Sequence, residues 1–247
     1  KKKIKVFIPK NVNSKNFIDK DIIKNTDLFV SMSYNQIFKK KTISIPNLGV
    51  INCHAGDLPF YRGRNPLNWV LINGEKKFGI TVHYVDEKID HGDIILKKNY
   101  SISKKDNYGS LLKKAKLECS KLLIKSIKKI ISGKVKVIQQ DKIDKKGSYF
   151  KKRILGDEKI IWNSKAIEIF NFVRGLNPNP LAYSRIEKKK IFIKKIDRIF
   201  LKKNSSLKPG VIDKVKKNYF CISCKDKVVK VSEWIYDYQL YEKQVLN

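Results

Sequence analysis

The first half of the chain shows short apolar runs separated by stretches that suit helices. Each run has the length and composition of a buried strand. The predicted strands cover residues 4–8, 28–32, 49–52, 79–85 and 94–97. A short helix is predicted over 65–73, and a long one over 106–132, where leucine and isoleucine recur with a helical period up to Gly133. This order predicts an α/β fold with a doubly wound, Rossmann-like parallel sheet.

The predicted sheet begins with few strands. Only the runs at 4–8 and 28–32 come before Gly49, and the chain starts with lysine, its one methionine being Met32. We therefore expect the first part of the doubly wound sheet to be missing from this chain.

The second half has a different pattern, and it predicts a smaller β-rich domain. A helix is expected over 164–175, with Ser164 as its cap, and Asn-Pro-Asn-Pro at 177–180 should end it. Strands are expected at 191–193, 210–212, 219–222 and 228–231, with turns at 202–206 and 208–210. The predicted domains are 1–135, a linker at 136–160, and 161–247.

The chain of 247 residues is strongly basic, with a formal net charge of +32. A nucleic-acid or membrane partner would use such charge. However, 49 of the basic residues are lysines and 6 are arginines, and the lysines are spread over the whole chain. This distribution favours a compositional bias over a dedicated polyanion site. No apolar run approaches the ~20 residues of a membrane span and no secretory signal is visible, so a cytoplasmic protein without a membrane partner is expected.

Four cysteines are too few for a disulfide scaffold. Cys221 and Cys224 form a single CxxC pair, but a zinc site would need two more ligands, and the histidines all lie far upstream. The alternation of residue types around this pair predicts a strand instead. We therefore expect no metal.

An amide, an imidazole and a carboxylate stand near the ends of two predicted strands. Asn52 ends the run at 49–52 and His54 comes two residues later, while Asp90 follows the run at 79–85. An amide N–H can hold a developing oxyanion, an imidazole can hold charge or move a proton, and a carboxylate can orient the imidazole. From their order and the spacing of 38 residues between Asn52 and Asp90, we expect the three to converge on one open pocket at the carboxyl edge of the sheet. These are the groups needed to pass an acyl unit to an amine.

Around these residues the sequence resembles the folate-dependent formyltransferases. The elements that carry the resemblance are, in order, Asn52-Cys53-His54, Leu58-Pro59, Arg62-Gly63 and Asp90-His91-Gly92, with Asp90 38 residues after Asn52. The strong resemblance covers residues 28–100, and a weaker one continues to about residue 185. The run from Arg62 to Trp69 is similar to the amino-sugar branch, whereas the methionyl-tRNA enzymes usually have two alanines in place of Arg64 and Asn65.

The resemblance implies transfer of a formyl group from 10-formyltetrahydrofolate to the amine of a nucleotide-linked amino-dideoxy sugar. dTDP is the first choice of nucleotide, and the product would serve lipopolysaccharide or O-antigen synthesis. Asn52 and His54 would hold the tetrahedral oxyanion, while Asp90 would orient His54, raise its pKa and help remove a proton. A methionyl-tRNA formyltransferase and a non-catalytic module that binds a sugar nucleotide remain alternatives. Folate and nucleotide sugar are the expected partners, and a homodimer remains open.

Folate contacts are assigned by the same resemblance. Ser33 and Tyr34, which follow the strand at 28–32, are expected at the wall of the pterin pocket, and Asp86 is also expected at the folate. His83 is expected to be a sheet-face residue rather than a catalyst, and His91 a loop residue.

The expected sugar-nucleotide contacts are Arg62, Arg64, Asn65 and Tyr149. Arginine is scarce in this chain, yet two arginines flank Gly63, and a guanidinium suits bidentate binding of a diphosphate. Tyr149 could stack on a nucleobase, with packing in the core as the alternative. We expect the substrate to lie between the Arg62–Arg64 loop and the second domain.

Overall fold

The protein is described from a computed structural model, which covers residues 4–201 and 207–247. The chain divides into two compact units and passes between them several times. The first unit comprises Lys1–Gly63, Gly79–Asn99 and Lys116–Tyr149, and the second comprises Arg64–Phe78, Tyr100–Ala115 and Phe150–Asn247.

The first unit is built on a sheet in the order β1-β2-β4-β5. The strands in this part of the chain are β1 (Phe29–Ser31), β2 (Val50–His54), β3 (Arg62–Gly63), β4 (Lys77–Tyr84), β5 (Ile94–Ser101) and β6 (Tyr149–Phe150). β1 runs parallel to β2, as an α/β sheet requires, whereas β4 runs antiparallel to β2. The predicted α/β class is confirmed.

The helices are α1 (Lys15–Ile18), α2 (Asp21–Lys24), α3 (Lys40–Ile43), α4 (Pro66–Ile72), α5 (Tyr108–Ile131) and α6 (Ala166–Leu176). The long predicted helix is α5, and Gly133, at a φ of +67° that disfavours other residues, follows its end. In the first unit, Cys119, Leu122 and Ile130 of α5 are buried, as are Ile51 and Val82 of the sheet. This core holds β2 and β4 in place beneath the candidate site.

The strand predicted at residues 4–8 does not form, because these residues have no regular structure. Ile4, Val6 and Ile8 are largely exposed. Alternating apolar residues make a stable strand only where a neighbouring strand pairs with the backbone and the side chains are buried.

The second unit is β-rich, as predicted, with one antiparallel sheet in the order β7-β8-β11-β10-β9. Its strands are β7 (Ala182–Ile186), β8 (Lys189–Leu201), β9 (Ile212–Lys216), β10 (Tyr219–Ser223) and β11 (Lys227–Ile235). Helix α6 buries Ile169, Val173 and Leu176, spaced by three or four residues, against the same core as Phe220 and Val231.

Two local predictions in this unit are wrong. Ser164 does not cap α6, which begins at Ala166. The Ala166 N–H donates to the Asp226 carboxylate, 2.8 Å away, a partner distant in sequence. The strand expected at 210–212 begins only at Ile212, since Gly210 adopts a φ of +88° in a turn. The turn predicted at 202–206 lies outside the described residues.

Candidate active site

Strand β2 presents Asn52 and His54 on the same side of the sheet, because side chains two residues apart in a strand point the same way. Cys53 points to the other side, where its thiol donates to the Cys119 carbonyl of α5. The antiparallel register places His83 of β4 directly opposite Asn52. The sheet therefore brings an amide and two imidazoles together.

The loop after β4 adds the carboxylate. Asp90 Oδ2 accepts the Gly63 N–H at 2.8 Å and lies 3.6 Å from His54 Nδ1. Asp90 Oδ1 lies 3.3 Å from Asn52 Nδ2 and 3.5 Å from His83 Nε2. The structure thus brings both Asn52 and His54 within contact distance of Asp90.

Asp90 is a carboxylate at neutral pH. Burial of its side chain opposes ionisation, but its contacts with His83, His54 and the Gly63 N–H outweigh burial. Together they lower the pKa of Asp90 from 3.8 to about 2. The site therefore holds a permanent negative charge, which can stabilise a positive charge that forms next to it.

His54 is a neutral imidazole at neutral pH. Burial lowers its pKa below the usual 6.5, and the nearby Asp90 only partly opposes this. Asp90 does raise the pKa of His54, as expected. The overall pKa of His54 is nevertheless lowered, because burial has the larger effect. His54 Nε2 lies 2.7 Å from the Tyr61 carbonyl, to which it donates. The lone pair of the neutral ring is then on Nδ1, facing Asp90, and this contact becomes attractive when Nδ1 takes up a proton.

Asn52 uses both protons of its amide inside the site. One is donated to Asp90 Oδ1 and the other to His83 Nε2, 3.2 Å away. His83 can accept there because its Nδ1–H donates to the Tyr84 carbonyl at 2.7 Å. His83 lies on the sheet face as predicted, but it also contacts two of the three expected catalytic residues. A reacting oxygen would have to replace one of these partners of Asn52.

Arg62 is positioned differently from what the sequence suggested. The residue is only 8% exposed, and its Nε and Nη2 both donate to Gln140 Oε1, at 3.0 and 2.8 Å. Two of its guanidinium nitrogens therefore have an internal partner, and its expected contact with a substrate phosphate stays a prediction. No sequence pattern pointed to Gln140, which is 78 residues away from Arg62 along the chain.

The other expected sugar-nucleotide residues lie at the surface. Arg64 and Asn65 are exposed and belong to the second unit, and Tyr149 of the first unit is also exposed. Asn65 adopts a φ of +56° as it begins α4. Nothing in these positions conflicts with ligand contact, and their role stays a prediction.

The residues expected at the folate are also accessible. Ser33 and Tyr34 are exposed after β1, and the Tyr34 ring stacks on Phe38 with centroids 5.5 Å apart. Asp86 lies 3.3 Å from His91 Nδ1. Both line a cavity of about 530 Å³ in the first unit, together with Asp93 and Asp141.

Two general features of the described residues bear on the chemistry. In residues 4–201 and 207–247, no group of three or more His, Cys, Asp or Glu side chains has a geometry fit to hold a metal ion. Within the same ranges, no helix has both the length and the apolar character needed to cross a membrane.

Residues 2–127 match the formyl transferase family, and residues 155–243 match its C-terminal domain. The chain belongs to the formyltransferase family. The family match thereby covers Asn52, His54 and Asp90 as well as the whole antiparallel sheet.

Several curated relatives are similar over much of this chain. The bifunctional polymyxin resistance protein ArnA of Wigglesworthia glossinidia brevipalpis is 40% identical over 232 residues, which cover 94% of this chain and 34% of ArnA. Methionyl-tRNA formyltransferase of Fusobacterium nucleatum is 40% identical over 74% of this chain and 58% of its own length. That of Clostridium botulinum is 37% identical over 87% of this chain and 70% of its own. The chain thus spans about a third of the length of ArnA and less than two thirds of the Fusobacterium enzyme.

Solved structures show the same fold. WlaRD, a sugar 3N-formyl transferase solved in the presence of dTDP and 5-N-formyl-THF, is 26% identical, with a TM-score of 0.63 over 83% of this chain and 72% of that one. An N-formyltransferase from Helicobacter canadensis is 24% identical, with a TM-score of 0.66 over 84% of this chain and 73% of that one, and shows the fold alone.

Proposed function

We propose that this protein transfers a formyl group from 10-formyltetrahydrofolate to the amine of a nucleotide-linked amino sugar. The convergence of Asn52, His54 and Asp90 within the first unit is the observation that carries the proposal. The membership in the formyltransferase family supports the reaction class.

In the proposed reaction, the neutral amine attacks the formyl carbon, and a nitrogen–carbon bond forms as the carbonyl oxygen becomes an oxyanion. One N–H of the Asn52 amide would exchange its bond to His83 or Asp90 for a hydrogen bond to this oxygen. Removing such a donor typically costs ~3 kcal/mol of transition-state stabilisation. The amine proton would pass to Nδ1 of His54, where Asp90 stabilises the imidazolium. The bond to N10 of the folate then breaks, and N10 takes up the proton.

An amino sugar is the acceptor we favour. A sugar 3N-formyl transferase solved with dTDP is similar over most of this chain, and the run from Arg62 to Trp69 resembles the amino-sugar branch. We infer that exposed Arg64, Asn65 and Tyr149 contact the nucleotide sugar, with dTDP as the first nucleotide to test. Ser33, Tyr34 and Asp86 are the proposed folate contacts.

Initiator methionyl-tRNA is the second candidate acceptor. Methionyl-tRNA formyltransferases are among the curated relatives at 37–40% identity, and the net charge of +32 would suit a polyanion. Binding of tRNA through lysines would weaken steeply as salt rises. Salt dependence therefore separates the two acceptors independently of turnover.

The deciding experiment mixes the protein with 10-formyltetrahydrofolate and one acceptor at a time, from a panel of dTDP- and UDP-linked amino sugars and initiator Met-tRNA. The expected result is a formylated sugar, with release of tetrahydrofolate in equal amount. His54→Ala serves as the control for uncatalysed transfer. Formyl transfer to the tRNA with none to any sugar would overturn the ranking, and no transfer to either acceptor would refute the proposed activity.

A further inference from the structure

Gln140 joins three segments of the first unit through one buried amide group. The residue is 2% exposed. Its Oε1 accepts two hydrogen bonds from Arg62, and its Nε2 donates to the carbonyls of Asp90, at 2.9 Å, and Gly92, at 2.8 Å. A side-chain amide has two donors and two acceptor lone pairs, so the hydrogen-bonding capacity of Gln140 is fully used.

The two carbonyls belong to the loop that carries the site's carboxylate. Asp90 adopts a φ of +53°, a left-handed conformation that residues other than glycine rarely adopt. Such a conformation persists only where the surroundings fix it. With the backbone held in this way, the Asp90 carboxylate reaches the Gly63 N–H and Asn52 at the same time.

The same amide also fixes the neighbouring strand. Arg62 donates two hydrogen bonds to Gln140 Oε1. The next residue, Gly63, donates its N–H to Asp90 Oδ2. One side chain thus sets the position of the Asp90 backbone and of a hydrogen-bond donor to the Asp90 side chain. Loss of Gln140 would release both.

We propose that Gln140 is a positioning residue that holds the Asp90 carboxylate against Asn52 and His54 through the backbone of the Asp90–Gly92 loop. Because it concerns turnover, this role rests on the proposed formyl transfer. A residue that only stabilised the fold would change the amount of folded protein, but not the kcat of each folded molecule.

Gln140→Glu tests the role while keeping Arg62 paired. The new carboxylate accepts from Arg62 but can no longer donate to the Asp90 and Gly92 carbonyls, so the loop is released. Gln139→Glu is the matched control, because it adds the same charge one residue away on an exposed side chain. We expect kcat at least tenfold below this control with KM little changed, since misplacement by about 1 Å can cost about a hundredfold.

A second readout does not need activity. In Gln140→Leu, which adds no charge, the titration midpoint of His54 followed by NMR should fall, because Asp90 raises the pKa of His54 and would move away. If Gln140→Leu does not fold, the same titration compares Gln140→Glu with Gln139→Glu. If the wild type formylates no acceptor, the proposed function fails and this titration alone decides the role of Gln140. A kcat within about twofold of the control, or an unchanged midpoint where only the titration applies, would overturn the proposal.

Discussion

Asp90→Asn should lower the free energy of unfolding as well as activity. The pKa of Asp90 is about 2 in the folded protein, against 3.8 for an ordinary aspartate, and its side chain is only 10% exposed. Each pH unit between the folded and unfolded pKa corresponds to about 1.4 kcal/mol, so the ionised carboxylate stabilises the fold by roughly 2 kcal/mol at most, and the part that comes from protonated His54 is absent at neutral pH. Asparagine keeps the shape but not the charge, so the variant should lose an amount of that order.

The pH dependence of this difference follows from the lowered pKa. The stabilisation by Asp90 is complete above the unfolded value of 3.8 and is lost as the pH falls through about 2. Because His54 titrates below pH 6.5 and Asp90 raises its pKa, wild type and Asp90→Asn should differ by a constant free energy only above about pH 7, and should converge as Asp90 itself is protonated.

Urea unfolding followed by circular dichroism at several pH values would measure the difference. Trp69, Trp162 and Trp234 all belong to the second unit, so their fluorescence gives a separate signal for that unit. Asp141→Asn is the matched control, because it removes the same charge from a side chain that is 61% exposed. If Asp90→Asn were as stable as the wild type at neutral pH, the contacts of Asp90 would not stabilise its charge as described.

Other variants probe the rest of the site. His54→Ala and Asn52→Ala should each lower kcat on the order of a hundredfold or more, with a smaller change in KM for the acceptor; near-full kcat in steady-state assays would remove the assigned role. Gly56→Ala would place a Cβ 2.5 Å from His54 Nε2 and 2.7 Å from the Tyr61 carbonyl, so kcat should fall while circular dichroism stays unchanged. His54 should titrate below pH 6.5 by NMR, and lower still in Asp90→Asn, because Asp90 raises its pKa; a midpoint at or above 6.5 would contradict the dominance of burial.

The parts of the site that depend on local pattern could be predicted from the sequence. An apolar run ending in Asn-Cys-His predicts a strand, and strand geometry then requires Asn52 and His54 to share a side. The approach of Asp90 was expected from the spacing of the family motif rather than from chain geometry. The strand at 4–8 failed because apolar alternation does not reveal whether a partner strand exists.

Long-range pairing explains what the sequence could not predict. A parallel sheet was expected, whereas β2 and β4 are antiparallel, and this register alone puts His83 opposite Asn52. Arg62 was expected at a phosphate because arginine is scarce, but scarcity does not show whether a charge is buried. Its partner Gln140 lies in a segment whose pattern of short apolar runs and charges predicted no definite element.

The pKa of His54 shows why the direction of an electrostatic effect needs the three-dimensional structure. Sequence reasoning correctly paired His54 with Asp90 and so expected a raised pKa. In the folded chain, burial deprives the charged imidazolium of hydration by water and so lowers the pKa of His54. This effect is larger than the increase in pKa caused by the nearby Asp90 carboxylate. The outcome suits the proposed chemistry, because a neutral imidazole can accept the proton of an attacking amine at neutral pH. Asp90, which stays ionised, then stabilises the imidazolium only once the proton has moved.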